Sequence, residues 1–255
     1  MKHAVVTGGA SGIGEATARL LSRNGARVTL VDVNDERGAR VADEMNAAGG
    51  KAVFHHLDVC DENDLLALAA SLFAEGPVDV LVNSAGILQN AVRLNDMDLA
   101  EYDRIIDVNL KGVVLACRAF GSRMCAAGAG SIINLCSLTS LTPSPQLAYG
   151  MSKAALKILT ESLAAEFGPS NVRVNAVAPG YTLTPAMQQR IDEGTRNPAK
   201  MVEAAALRRL VSMDEVAEAI NFLSSDKASA ITGVVVPVDC GFLVGSAYQA
   251  YAAQP

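Results

Sequence analysis

Short apolar runs alternate with amphipathic stretches along the whole chain. Seven runs read as strands: Ala4–Thr7, Arg27–Asp32, Ala52–His56, Val78–Asn83, Ser131–Leu135, Arg173–Val177 and Val234–Val238. Most are continuous and β-branched rather than alternating, the pattern of strands covered on both faces. Between them, helical periodicity runs through stretches such as Gly14–Asn24, Asp61–Glu75, Leu99–Met124, Ala148–Phe167 and Met213–Ser224. The last opens on a capping box, Ser212-Met213-Asp214-Glu215. Strand–helix alternation from end to end predicts a doubly wound, mostly parallel seven-stranded α/β sheet of Rossmann type, with helices on both faces. No linker, repeat or low-complexity run divides residues 1–255, so a single domain is expected. The rhythm breaks at about 181–207, where Pro185, Gly194 and Pro198 interrupt mixed apolar and polar residues. That stretch is expected to be a small inserted lid, and 246–255 a C-terminal tail.

In such a sheet, ligands bind outside the carboxyl ends of the strands, so the residues after each strand are the ones to read. The first strand is followed by Thr7-Gly8-Gly9-Ala10-Ser11-Gly12-Ile13-Gly14, which opens into a helix. Glycines there allow a tight turn and close approach of a pyrophosphate to free N–H groups at the helix N-terminus. The second strand ends at Asp32, eighteen residues after Gly14. A carboxylate at that place accepts hydrogen bonds from an adenosine ribose diol and repels a 2′-phosphate, which favours NAD over NADP. The third and fourth strands end in Asp58-Val59 and Asn83-Ser84-Ala85-Gly86, which are turn-forming residues as well as candidates to line a nucleotide crevice. The fifth ends at Cys136-Ser137, putting a hydroxyl at the sheet edge. Tyr149 and Lys153 follow, four apart at the head of an apolar-periodic helix, where their side chains share a face. A free phenol has a pKa near ~10, and a fixed ammonium beside it lowers that value. Asn109, inside the helix after the fourth strand, needs partners if it is buried.

Composition narrows the function classes. Half of the 255 residues are hydrophobic and the net charge is −6, with basic residues scattered. Nucleic acid is not an expected partner, because phosphate binding needs clustered Lys and Arg. No apolar run reaches the length of a membrane span, and no signal-peptide core is read at the N-terminus. The five cysteines, Cys60, Cys117, Cys125, Cys136 and Cys240, have neither CxxC nor metal-ligand spacing. They are expected to be reduced thiols in a cytoplasmic protein, with no metal site.

With these residues placed, the chain resembles the short-chain dehydrogenase/reductase family over nearly its whole length. The family's TGxxxGIG loop corresponds to Thr7–Gly14, its NAD-selecting acid to Asp32 and its adenine-side Asp to Asp58, followed by Val59. Its NNAG stretch stands as Asn83-Ser84-Ala85-Gly86, with Ser84 replacing the second Asn. The resemblance implies a catalytic tetrad of Asn109, Ser137, Tyr149 and Lys153. It implies cofactor contacts from Gly8, Ser11, Gly12, Ile13, Gly14, Asp32, Asp58, Val59, Asn83, Ala85, Gly86, Tyr149, Lys153, Pro179, Gly180, Thr182 and Thr184. In the family pattern the Thr182 backbone meets the nicotinamide carboxamide and Thr184 supports that end. The loop from Ser137 to Tyr149 is one residue shorter than the family's, which puts Cys136 at the usual spacing. Ser137 is preferred because the strand Ile132-Ile133-Asn134-Leu135 leads into it as in the family, and Ser140 is a substitute.

The resemblance thus implies an NAD-dependent oxidoreductase, a homotetramer, interconverting a secondary alcohol (polyol, sugar, hydroxy acid or cyclic alcohol) and its ketone. Tyr149 would exchange the hydroxyl proton and Lys153 would lower its pKa and hold the nicotinamide ribose. Ser137 would donate to the substrate oxygen, and Asn109 would hold a relay water. Candidate pocket residues are Leu88, Gln89, Arg93, Thr139, Ser140, Leu141, Gln146, Tyr181 and Met187 to Leu207. Two other readings stay open: a catalytically silent NAD-binding sensor or assembly protein, and an epimerase or dehydratase using bound NAD.

Overall fold

The computed structural model describes residues 1–249. Seven parallel strands form one sheet: β1 (His3–Thr7), β2 (Arg27–Asp32), β3 (Lys51–His56), β4 (Val80–Asn83), β5 (Gly130–Leu135), β6 (Val172–Pro179) and β7 (Val235–Val238). Their spatial order is β3-β2-β1-β4-β5-β6-β7. The chain therefore reverses direction of growth between β1 and β4, the topological switch point at which such sheets open a crevice. All seven strands lie where the apolar runs predict them.

Alternation along each strand sends neighbours to opposite faces. On one face Val5, Val31, Leu81 and Ile132 pack with Leu65, Phe120, Leu156 and Phe167. On the other, Ala4, Val6, Leu30, Val82 and Ile133 pack with Leu21, Met45, Ile220 and Leu223. The first layer holds helices α3 (Glu62–Glu75), α4 (Leu99–Ile106), α5 (Gly112–Ala116), α6 (Ser122–Ala127) and α7 (Leu147–Phe167). The second holds α1 (Gly12–Arg23), α2 (Asp35–Ala47) and α10 (Met213–Ser224), after α8 (Pro185–Asp192) and α9 (Pro198–Ala204). Helix α11 (Phe242–Gln249) follows β7.

Three differences from the sequence reading have physical causes. The charged α2, which was not singled out in the sequence, buries Gly38, Val41, Ala42 and Met45 on one face, and Asn34 caps it by accepting from the Arg37 N–H at 3.0 Å. The expected helix Leu99–Met124 contains two π-helical turns, Asp107–Lys111 and Cys117–Gly121, which separate α4, α5 and α6. The stretch 181–207 is not irregular: Thr184 and Asn197 cap α8 and α9, each with proline in its first turn. The Ser212–Glu215 capping box forms as expected, with reciprocal bonds of 3.2 and 2.9 Å. Of the C-terminal tail, Tyr251 and the rest of 250–255 lie outside the described residues, whereas Tyr248 is exposed. Among the described residues no helix is long and apolar enough to cross a membrane, and all five cysteines are free thiols.

A buried polar link ties the middle of the sheet to α7. Asn134 on β5 accepts from Asn83 Nδ2 at 2.9 Å and donates to Thr160 Oγ1 at 3.0 Å, with all three side chains buried. Removing the central amide takes one bond from each partner, Asn83 Nδ2 keeping Cys117 Sγ at 3.3 Å and Thr160 Oγ1 the Leu156 carbonyl at 2.7 Å, which costs about 1 kcal/mol. Asn134→Ala should lower the urea midpoint by a corresponding amount with an unchanged slope. A loss below about 0.5 kcal/mol would mean that the link is not holding α7.

Candidate active site

A cleft of about 860 Å³ opens at the carboxyl ends of β1, β2, β4 and β5. Its floor depends on backbone contact that only glycine permits. A Cβ on Gly14 would stand 2.1 Å from the Gly8 carbonyl oxygen, and one on Gly8, whose φ is +66°, would stand 2.7 Å from the Ala85 nitrogen. Thr7 Oγ1 accepts from Ser84 N and Ala85 N at 3.2 and 3.3 Å, joining the two strand ends at the switch point. Ser11, the N-cap of α1, makes no side-chain cap bond and lines the cleft with Gly12 and Ile13. A Cβ on Gly12 would meet only the Thr184 side chain, at 3.9 Å.

At the far end the Asp32 carboxylate accepts from Ala10 N at 3.1 Å and Asn34 N at 3.0 Å, so the backbone fixes its position. Asp58, Val59, Ala85, Gly86 and Thr184 also line the cleft. Gly14, Asn83, Pro179, Gly180 and Thr182 stand behind its wall. Asn83 is buried and bonded to Asn134, and Thr182 is buried in a bridge to Val211. Ser84 lines the cleft, whereas Asn83, expected at the cofactor, joins β4 to β5 through Asn134. Arg37 was missed: it lies beside Asp32, half-buried, with its Nε unpartnered and its Nη2 3.6 Å from Glu15. A search for basic residues confined to the glycine loop does not reach it, since it comes from the first turn of α2.

Tyr149 and Lys153, from the first turns of α7, meet the other end of the same cleft. The Lys153 ammonium lies 5.7 Å from the Tyr149 ring centroid and donates to the Leu135 carbonyl at 2.7 Å. Burial brings its pKa down to about 8. Burial also pushes the Tyr149 phenol above its ordinary value, opposed chiefly by hydrogen bonding to Ser137 and by the positive charge of Arg190. The lowering expected of Lys153 is not found: Ser137 and Arg190 are the groups that lower the phenol, and its desolvation exceeds both.

Ser137 is the member of the Cys136, Ser137 and Ser140 set that reaches the phenol. It caps the short turn Leu138–Ser140, where its Oγ accepts from Thr139 N at 3.3 Å. Ser140 Oγ accepts from Ser137 N at 3.2 Å and donates to the Lys153 carbonyl at 2.8 Å, holding strand end and helix together. Cys136 is buried beside Lys153, and burial raises its thiol pKa. Asn109 sits in the first π-helical turn, fully buried. Its carboxamide accepts from Ile87 N at 2.8 Å and donates to Ile87 O at 2.9 Å, so it clamps the loop after β4. A Cβ on Gly86 would lie 3.2 Å from Asn109 Oδ1 and 3.6 Å from Lys153 Nζ, which places both groups at the same glycine.

The sequence pattern of the family described as Enoyl-(Acyl carrier protein) reductase matches residues 8–243. A cis-4-hydroxycyclohexanecarboxylate dehydrogenase of Sinomonas cyclohexanicum is 42% identical over 241 residues, 94% of this chain and 95% of that protein. This chain belongs to the short-chain dehydrogenase/reductase family. Two solved structures from Brucella melitensis are also similar. One, described as a 3-oxoacyl-[acyl-carrier protein] reductase with bound NAD, has a TM-score of 0.85 and 34% identity, covering 94% of this chain and 90% of that one. The other, described as a ribose-5-phosphate isomerase, has a TM-score of 0.93 and 44% identity, covering 100% and 97%.

Short-chain dehydrogenases bind NAD(P), and the residues present fit such a dinucleotide: a glycine cradle that a Cβ would fill, an uncommitted Ser11 hydroxyl and a fixed acid at the far end. On the side where a substrate would approach, Leu88 lines the cleft and Gln89 is fully buried. Gln146 Nε2 donates to the Gln89 carbonyl. Thr139 Oγ1 is buried without a partner, and Tyr181 packs edge-on against Phe242. Arg93 is exposed and lies outside the lining.

The buried ammonium gives a pH test. The folded pKa of Lys153, about 8, is below the unfolded value near ~10.4, so between these pH values the unfolded chain binds more protons. Lys153 therefore makes stability rise with pH from about 8 towards ~10.4. The unfolding free energy of wild type minus that of Lys153→Met should rise across that window. A difference independent of pH would contradict the burial of a charged lysine.

Proposed function

We propose that the cleft takes NAD, and that Tyr149 is the general acid–base of the secondary alcohol–ketone oxidoreduction carried out by this short-chain dehydrogenase. The observation that carries the reading is that Tyr149 and Lys153, with Ser137 at the phenol, share one cleft with the glycine loop and Asp32. Bound NAD supplies the hydride acceptor, or NADH the donor, at the end of the cleft next to Tyr149. The Tyr149 oxygen takes the substrate hydroxyl proton during oxidation and returns it during reduction. Ser137 donates to the oxygen on which charge develops. Lys153 supplies positive charge near the phenolate, which matters more because the site is desolvated. Asn109 keeps Gly86 and Ile87 in place beside Lys153.

NAD is favoured over NADP because the Asp32 carboxylate is held by two backbone N–H groups and cannot swing away from a 2′-phosphate. Arg37 offsets this only in part, since Glu15 draws on its guanidinium. A charge-assisted bond from a ribose hydroxyl contributes ~1.5–3 kcal/mol, a ten- to hundredfold preference before repulsion is counted. We read the chain as a single domain with residues 181–207 as its lid. Free thiols suit a reducing cytoplasm. An edge strand, β7, followed by exposed Val244 and Tyr248 supports association into a homotetramer.

Tyr149→Phe should bind NADH as wild type does in a fluorescence titration, while kcat falls by ~10²–10⁴-fold. A variant retaining more than about a tenth of wild-type kcat would remove Tyr149 from the chemistry.

A further inference from the structure

Helix α8 and the turn after it bring two arginines to the substrate side of Tyr149. Both are organised by the short segment Gln89-Asn90. Gln89 is fully buried, and its Oε1 accepts from the Tyr149 backbone N–H at 3.3 Å. Its carbonyl accepts from Arg196 Nη2 at 3.5 Å, and the Asn90 Oδ1 next to it accepts from Arg190 Nε at 3.1 Å. Gln189, the neighbour of Arg190, lines the same cleft as Tyr149.

Both guanidinium groups are half-buried, and among the described residues neither forms an ion pair within 4.0 Å. No described residue accepts from the Nη groups of Arg190. The carboxylates that act on Arg190 from farther away, Glu101 and Glu193, are engaged by amides: Gln89 Nε2 donates to Glu101 at 3.4 Å and Gln189 Nε2 to Glu193 at 2.7 Å. Burial and Arg196 work against the charge of Arg190, while Glu193, Glu101 and Tyr149 favour it without an ion-pair contact. Two like charges held together away from bulk water are relieved by an anion between them. The segment that holds both arginines also holds the head of α7, through the Tyr149 N–H to Gln89 Oε1, so an anion between them would lie on the Tyr149 side of the cleft.

We infer that Arg190 and Arg196 form the anion-binding end of the substrate site, so that the alcohol handled here carries a carboxylate and the substrate class is the hydroxy acids. This rests on the alcohol–ketone reading of the cleft. A carboxylate matches the planar guanidinium fork. Arg93, the arginine expected from sequence, is exposed, and the bonds to Gln89 and Asn90 come from Arg196 and Arg190 instead.

The test compares 4-hydroxycyclohexanecarboxylate, its methyl ester and a phosphorylated secondary alcohol as substrates, and separately measures cyclohexanecarboxylate binding by calorimetry. Wild type should have at least tenfold higher kcat/KM for the acid than for the ester. In Arg190→Gln that ratio should collapse by roughly ten- to hundredfold, the range of a charge-assisted bond. Binding of the unreactive carboxylate should weaken at least tenfold in Arg190→Gln and Arg196→Gln. An ester used as well as the acid, a preferred phosphorylated alcohol, or carboxylate binding unchanged in both variants would overturn the inference. If no alcohol is turned over at all, the oxidoreductase reading fails, and the binding measurement still decides the anion site.

Discussion

Helix α7 is pinned to the carboxyl end of β5 by side chains that reach in both directions, and the chemistry depends on that attachment. Lys153 Nζ donates to the Leu135 carbonyl, Ser140 Oγ donates to the Lys153 carbonyl, and deeper in the core Asn134 holds Thr160. A helix that slid by a fraction of a turn would lose all three bonds at once. Tyr149 would then part from Ser137, the group that most counters the cost of burying its phenolate. Burial and attachment are therefore one constraint. The interior that makes charges at Tyr149 and Lys153 expensive also makes every nearby dipole and charge effective.

The other half of the cleft is built on absence of side chains. Gly8 and Gly14 allow the loop after β1 to approach both Ala85 and its own helix at distances a Cβ would forbid. This leaves the first turn of α1 facing the crevice with its Ser11 hydroxyl uncommitted. Asp32 then serves two purposes with one carboxylate, bracing the glycine loop through Ala10 and presenting charge at the adenosine end. A reaction site assembled this way needs no residue from outside the parallel sheet and its crossovers, except on the substrate side. There the segment from 181 to 207 supplies Thr184, Gln189 and the two arginines.

Apolar runs located the strands most clearly where both faces are buried, as in β1 and β4, and the partly exposed edge strands β3 and β7 still carried short β-branched runs. The family motifs also named every residue at Tyr149, Lys153, Ser137 and the glycine loop. What the sequence hid were features set by three-dimensional approach. A π-helical turn at Asp107–Lys111 has no apolar signature distinct from an ordinary helix. Asn83, expected at the cofactor, turns into the sheet and Ser84 faces the cleft, because strand pleat, not residue type, decides which one does. Arg37 looked like a scattered surface charge, and Arg190 and Arg196 were two unmarked positions in the candidate pocket stretch 187–207, since their meaning lies in what stands beside them after folding. The pKa of Tyr149 was misjudged for the same reason: the charge of Lys153 is legible in one dimension and burial is not.

On the proposed reading substrate recognition and proton transfer meet at Tyr149, and the central claim is that this meeting serves hydride exchange with NAD. The most direct measurement mixes wild-type protein with NAD, and in parallel with NADP, across a panel of secondary alcohols and follows absorbance in the reduced-nicotinamide band. The account predicts reduction of NAD by at least one alcohol, with kcat/KM for NAD ten- to a hundredfold above that for NADP. No reduction of either cofactor by any alcohol, or a preference for NADP, would contradict it.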